Sequence, residues 1–300
     1  MGRAVDLFTT SERMHEHPAR KRFGQHFLID PTVIDRLIAG LGLRADDRVV
    51  EIGPGLGALT GPLLRRLDHL QVIEIDRDLV GRLRQTYPAE RLTIHAADAL
   101  NVEFSTLAAP AGGDQLPSTP VDNGRLPNSP ANNGRLPNGS SRLRVLGNLP
   151  YNISTPLLFH LARFADVVAD MHFMLQKEVV DRMVAAPGSH AYGRLSVMLQ
   201  YRFIIDGLFD VPPSAFKPPP KVHSAIVRLQ PRPAADCPAD DERRLATLVA
   251  AAFAQRRKML RNSLHELIDP ARLAELAIAP TARAEELSLA DYLRLARLLK

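Results

Sequence analysis

The sequence predicts an α/β domain built on a parallel sheet, followed by a smaller all-helical domain. Three observations carry that prediction. Short apolar strands alternate with amphipathic helices from Pro31 to Asp98. A glycine-rich turn, Glu51-Ile52-Gly53-Pro54-Gly55-Leu56-Gly57, joins one strand to the helix after it. From Asp240 to Lys300 the pattern is helical throughout. Alternating strands and helices bury a sheet between helices, and their crossovers make the strands parallel. A chain of 300 residues can fill one large core and one smaller one.

The elements follow in order. Asp30-Pro31 is an N-cap followed by proline at the first helical position. Val33, Ile34, Leu37, Ile38 and Leu41 recur at helical spacing, and the helix stops near Gly42. Val49 to Ile52 is a strand running into the glycine turn, and Leu59, Leu63, Leu64 and Leu67 mark the next helix. Strand Leu70 to Ile75 carries Glu74 at its end, with Asp76 close behind. Helix Asp78 to Gln85, strand Leu92 to Ala96 and then Asp98 continue the alternation. It resumes at strand Arg144 to Gly147, helix Thr155 to Phe164, strand Met171 to Leu175, and helices Lys177 to Ala185 and Gly193 to Tyr201. Two further strands, Phe203 to Phe209 and Val222 to Leu229, flank a proline-rich loop, Pro212 to Lys221. After Pro231-Arg232-Pro233 the composition shifts, and Leu245, Leu248, Val249, Ala252 and Phe253 line one face of a long helix.

Residues 110–141 interrupt the pattern. Two near-copies stand back to back, Pro120 to Ser129 and Pro130 to Gly139, each containing Asn-Gly-Arg-Leu-Pro-Asn. Neither copy has an apolar face to stack, so they build no solenoid. Proline, glycine and asparagine predict a disordered surface insert. The other reading is an RNA-touching arm using Arg125 and Arg135. The expected organisation is therefore an N-terminal extension (1–19), an α/β domain (20–232) holding the insert, and a helical domain (233–300).

A hydrophobic fraction of 45% with 24% charged residues places the chain among ordinary globular proteins. The formal charge of +5 favours a polyanionic partner without saying which. Cys237 is the single cysteine, so no intrachain disulfide forms, which fits a reducing, cytoplasmic setting. Between Asp236 and Pro238 it reads as incidental rather than nucleophilic. No apolar run reaches the length of a membrane span, and Met1 to His17 has no signal-peptide core. Met14 stands shortly before Arg20-Lys21-Arg22, which marks Met1 to Arg13 as a leader or an over-long start. His160, His172 and His223 lack the spacing of a metal site, and no metal is expected.

A strand, a Gly-x-Gly-x-Gly turn and a helix make a general nucleotide grip. The glycines let backbone approach ligand, and the helix N-terminus favours a carboxylate or phosphate. Glu74, ending the next strand, can accept from ribose hydroxyls, and Asp98, ending the third, from an adenine amine. S-adenosylmethionine and NAD both fit, although the spacing departs from the Gly-x-Gly-x-x-Gly of dinucleotide sites. A ligand-free tight turn accounts less well for three glycines followed by two acids at strand ends. Either acid alone would read as an ordinary cap or surface residue.

Asn148-Leu149-Pro150-Tyr151 follows the later strand directly. An exocyclic adenine amine is a poor nucleophile because its lone pair is delocalised into the ring. Two acceptors on its hydrogens can hold it in line with a methyl donor. The Asn148 side-chain oxygen and the Leu149 carbonyl suit that task, Pro150 keeps Leu149 extended, and Tyr151 can stack on the base. A base in a helix must leave its stack to reach such a site. As an isolated tetrapeptide the motif would be a loop with a buried tyrosine; after a sheet strand and a cofactor turn, methylation of an adenine amine is the better reading.

In this order, Arg22 to Leu28, the glycine turn, Gly147 to Thr155, Met171 to Val179, Ala191 to Leu195 and Pro212 to Val222 resemble the bacterial small-subunit ribosomal RNA adenine dimethyltransferases. The likeness runs from Lys21 to Leu229, apart from the insert, and continues more loosely to the C-terminus. It implies a Rossmann-like S-adenosylmethionine-dependent methyltransferase domain with a smaller all-helical C-terminal domain. It also implies dimethylation at N6 of two adjacent adenosines in the 3′-terminal hairpin of 16S rRNA. By position, His26 and Leu28 belong to an N-terminal loop covering the cofactor. Gly53 lies at the methionine portion, Glu74 at the ribose, Asp98 at the adenine and Asn148 at the transfer point. Phe216 is similar to a second aromatic facing the target base, giving a sandwich with Tyr151. The insert, longer than the family's connection there, is the departure from the pattern.

Arg256-Arg257-Lys258 with Arg261, expected on a helix, and Arg20-Lys21-Arg22 form two cationic clusters suited to RNA phosphates. The partner expected is 16S rRNA within the 30S subunit or its precursor, bound by a monomer, with no membrane. Competing readings are a large-subunit rRNA methyltransferase, an assembly factor for which methylation is incidental, and, more distantly, an NAD oxidoreductase. Leu149 and the Phe216 loop fit the small-subunit group better.

Overall fold

The computed structural model describes residues 20, 24–108, 142–255 and 258–299. The extension 1–19, the insert 110–141, and Lys21, Arg22, Arg256 and Arg257 lie outside them. The chain forms two compact units, Met1–Leu175 with Asp210–Ile226, and Gln176–Phe209 with Val227–Lys300. The composition shift at residue 233 therefore does not mark a unit boundary. Residues 176–209 and 227–232, read from sequence as part of the α/β domain, cluster with the C-terminal helices.

The first unit opens on a two-residue strand, β1 (Phe27–Leu28), and helix α1 (Pro31–Gly40). The Asp30 carboxylate accepts from the amides of Thr32 and Val33, and Pro31 occupies the first turn, as the sequence predicts. Strands β2 (Arg48–Ile52), β3 (Leu70–Glu74), β4 (Leu92–Ala96), β5 (Leu143–Asn148) and β6 (Val168–Gln176) are the sheet. Helices α2 (Thr60–Leu64), α3 (Arg77–Thr86), α4 (Phe104–Leu107) and α5 (Ser154–Ala162) connect them. Val49, Val50, Ile52, Leu70, Val72, Leu143 and Val145 are all buried, the near-continuous apolar runs of strands covered on both faces.

All pairings from β4 through β3, β2 and β5 to β6 are parallel. Within the first unit the sheet order is β4-β3-β2-β5-β6; strands β7 (Phe203–Val211) and β9 (Ser224–Pro231) come later in the chain. The chain steps outward from β2 to β3 and β4, then returns to lay β5 on the other side of β2. That reversal is a topological switch point, and it opens a crevice beyond the C-terminal ends of β2 and β5. The glycine turn and Asn148 leave from those two ends.

A small second sheet pairs β1 with β8 (Phe216–Lys217), with Leu28 opposite Phe216 and the Ile29 amide donating to the Ala215 carbonyl at 2.8 Å. Arg144 on β5 ties the sheet's opposite end. Its guanidinium reaches Asp47 and Asp170, each at 2.8 Å, and the Leu41 carbonyl.

In the second unit, α6 (Lys177–Val184) and α7 (Arg194–Arg202) precede α8 (Ala239–Ala254), α9 (Leu260–Ser263), α10 (Pro270–Glu275) and α11 (Leu289–Ala296). Leu245, Leu248, Val249 and Ala252 form the buried stripe of α8. Phe253 bridges Tyr192 and Tyr292, at ring-centroid distances of 6.4 and 6.0 Å. Cys237 is buried with its Sγ 3.0 Å from the Tyr201 carbonyl, and burial pushes its thiol up. Buried in the connection before α8, it is unsuited to nucleophilic work.

Candidate active site

The crevice at the switch point is a cavity of about 250 Å³. The glycine turn forms its floor. Gly53, Gly55 and Gly57 all have positive φ, a conformation that side-chain-bearing residues rarely adopt. At Gly55 a Cβ would meet the Phe27 ring at 3.3 Å, so the close approach of β1 to the turn also requires glycine there.

Glu74, Asp98 and Asn148 come from the ends of three different strands, as the sequence predicts, and all line the cavity. Glu74 accepts from the Asp76 amide at 2.9 Å and, more loosely, from the Gly55 amide at 3.3 Å. Burial holds its carboxyl above the usual carboxylate range, with those amides opposing. Asp98 uses one oxygen to cap the turn that follows, accepting from the Leu100 amide at 3.0 Å. Asn148 donates its side-chain N–H to the His26 carbonyl at 2.8 Å, which leaves the amide oxygen as an acceptor. Leu149 and Pro150 also line the cavity, and the buried Leu149 is anchored through its amide to the Met174 carbonyl.

Tyr151 is fixed at both ends. Its hydroxyl lies 2.7 Å from Oγ of the fully buried Ser224. Its ring stacks on the imidazole of His26, at 5.6 Å between centroids and 27° between planes. His26 Nδ1 in turn lies 2.8 Å from the Pro218 carbonyl. The expected sandwich of Tyr151 with Phe216 is not what the structure shows. Phe216 is buried cross-strand from Leu28 and does not line the cavity, because the β1–β8 pairing draws it into the core.

The basic residues divide. Arg20 is committed within the chain, pairing with Asp76 at 2.8 Å and with Asp78, so it is not a free RNA contact. Lys258 and Arg261 are exposed, but not on one long helix. The first sits in the break after α8 and the second on the short α9, since α8 already ends at Ala254. His160 packs on Phe104 and Phe164 and bonds the Val102 carbonyl, a structural role. Among the described residues no group of three His, Cys, Asp or Glu is placed to hold a metal. Nor, among them, is any helix long and apolar enough to cross a membrane.

Two cavity residues escape the sequence reading. Ile75, directly after Glu74, keeps 48% of its surface exposed on the cavity wall and offers an apolar platform. Glu51, before the glycine turn, is buried and accepts from Thr60 Oγ1 at 2.7 Å. Burial pushes its pKa from 4.5 up to about 8, opposed by the Thr60 bond and reinforced by Glu74. Between those limits the unfolded chain ionises Glu51 while the folded chain keeps its proton. Stability from this group is full below pH 4.5 and is lost as pH rises toward 8. Glu51→Gln removes that dependence. Urea denaturation of the ligand-free protein is expected to show the variant gaining on wild type from pH 5 to pH 8, by up to about 1.4 kcal/mol per pH unit. A constant difference across that range would contradict the assignment.

Comparison with known proteins agrees with this geometry. The family described as ribosomal RNA adenine dimethylase matches residues 16–300. The ribosomal RNA small subunit methyltransferase A of Aromatoleum aromaticum is 56% identical over 279 residues, covering 93% of each chain. That of Dechloromonas aromatica is 50% identical over 286 residues, covering 95% of this chain and all of its own. A dimethyladenosine transferase from Plasmodium falciparum superposes with a TM-score of 0.67 at 23% identity, over 90% of this chain and 96% of the other. The 23S rRNA methyltransferase ErmE gives 0.64 at 24% identity, over 91% and 99%. At those identities the two structures show the shared fold alone. The sequence match over nearly the whole chain shows more: this protein belongs to the ribosomal RNA adenine dimethylase family.

Proposed function

We propose that the protein transfers methyl groups from S-adenosylmethionine to N6 of two adjacent adenosines in the 3′-terminal hairpin of 16S rRNA, within the 30S subunit or its precursor. Adenine dimethylation of rRNA is the family's activity, with S-adenosylmethionine as methyl donor. The choice of small-subunit RNA is supported by the full-length relatives, which are named small-subunit methyltransferases. The fold does not decide it, since ErmE superposes almost as well as the dimethyladenosine transferase.

The cavity fits the donor. Ile75 and Asp98 offer an apolar face and an acceptor for adenine, Glu74 suits ribose hydroxyls, and Gly53 leaves backbone room for the methionine portion. Leu28 and His26, on the strand and turn closing the other side, complete the enclosure. When bound, the cofactor supplies an electrophilic sulfonium methyl.

The observation that carries the proposal is the Asn148 side chain at the end of β5, its N–H held by the His26 carbonyl. Pinned in this way, its oxygen can accept one amine hydrogen while the Leu149 carbonyl accepts the other. Holding the amine in line is the main task, because the nitrogen becomes acidic once methylated and needs no strong base. Tyr151, whose phenol burial raises further above its ordinary value, offers a ring face to the flipped base. Phosphate contacts are assigned to Lys258 and Arg261 with their basic neighbours, acting in a monomer.

Labelled methyl transfer to unmethylated 30S subunits, mapped by mass spectrometry, tests the proposal. Two adjacent N6,N6-dimethyladenosines in the 16S 3′-terminal hairpin are expected. Label confined to 23S rRNA in a parallel reaction on 50S subunits would favour the large-subunit reading. Tight 30S binding without transfer would favour an assembly factor.

A further inference from the structure

His26 makes three contacts that no cofactor-covering role explains. Its ring stacks on Tyr151, its Nδ1 bonds the Pro218 carbonyl, and its own carbonyl holds Asn148. The stacking distance is the informative one. A base inserted between two rings needs them about 7 Å apart, twice an aromatic contact distance; Tyr151 and His26 stand 5.6 Å apart. His26 and the target base therefore cannot share that face of Tyr151 without movement. Asn148 bonds the backbone carbonyl of the same residue, which sets His26 beside the transfer point.

Which ring yields follows from the anchors. Tyr151 is held through its hydroxyl by Ser224, which is 0% exposed. The hydrogen bond from the His26 ring to the Pro218 carbonyl, by contrast, is solvent-exposed. We propose that His26 is a place-holder: its imidazole caps the base platform of the empty enzyme, and the flipped adenine enters by displacing it. The His26 backbone carbonyl stays on Asn148 throughout, so the acceptor geometry survives the exchange. Capping spares the Tyr151 face from water, at the cost of a stacking interaction that each incoming base must replace. This rests on Tyr151 being the base platform.

Steady-state methylation of unmethylated 30S subunits tests it, with S-adenosylmethionine affinity measured separately by calorimetry. His26→Ala keeps the backbone carbonyl and removes the ring. Measured at saturating S-adenosylmethionine, so that the ring's part in the cofactor enclosure does not enter, it is expected to raise kcat/KM for the subunits about three- to tenfold, the worth of one aromatic pair. His26→Phe restores a stacking ring and is expected to return kcat/KM to the wild-type range. A fall or no change in kcat/KM for His26→Ala, or no reversal by His26→Phe, overturns the proposal. Weakened cofactor binding in His26→Ala without a rise in kcat/KM at saturating S-adenosylmethionine would place the ring with the cofactor alone and overturn the proposal. Tyr151→Ala separates the underlying reading: if it leaves kcat/KM intact, the platform itself is misassigned, whatever His26 does.

Discussion

Asn148→Ala lowers the rate of methyl transfer by about 10²–10³-fold, the usual loss when one oriented hydrogen-bonding group is removed from a transition state. Single-turnover transfer from prebound, labelled S-adenosylmethionine to 30S subunits measures it, and calorimetry is expected to show cofactor binding largely retained. The reasoning is geometric. Asn148 is the last residue of β5, and its N–H is already used by the His26 carbonyl. Its oxygen is thus the part free to act on the amine. Asn148→Asp is not a rescue, because a carboxylate cannot donate to that carbonyl and would turn away from it. Lost cofactor binding with an unchanged transfer rate would move Asn148 out of the transfer site.

The second large effect lies one residue earlier. A Cβ on Gly147 would sit 2.3 Å from the Ile52 carbonyl oxygen and 3.2 Å from its carbon, both backbone atoms. Neither strand can step aside, because β2 is paired on its far side with β3 and β5 with β6. Gly147→Ala is expected to destabilise the protein by about 3 kcal/mol in urea denaturation, at the upper end for overpacking. Cofactor affinity is expected to fall with it, since any parting of β2 from β5 separates the glycine turn from Asn148. Wild-type stability in this variant would mean that the two strands are less rigidly joined than the structure indicates.

The parts of this protein that sequence makes legible are those written in local pattern. The Asp30-Pro31 cap, strand Leu92–Ala96 and the alternation that places Glu74, Asp98 and Asn148 at strand ends are all set by neighbours within a turn or a strand. What escapes depends on partners distant in the chain. Strand Phe27–Leu28 is two residues long, too short for any periodicity, and exists because Phe216–Lys217 pairs with it. The same pairing buries Phe216, which the family resemblance had turned toward the base. Ser224 fixes Tyr151 from 73 residues away, and Arg20 finds Asp76 at a separation of 56. The unit boundary is missed for a related reason. Composition changes at Pro231-Arg232-Pro233, but compactness follows helices α6 and α7, which precede that point. Glu51 is visible as an acid before a glycine turn, yet only its burial against Thr60 makes it a proton-holding group.

A crystal structure with S-adenosylhomocysteine is the most direct test of the central claim, that one switch-point cavity brings a donor grip and an adenine-aligning amide together. The account predicts the ligand's adenine between Ile75 and Asp98, its ribose hydroxyls on Glu74 and its sulfur directed at Asn148. An adenine bound elsewhere, or a sulfur facing away from Asn148, would contradict it.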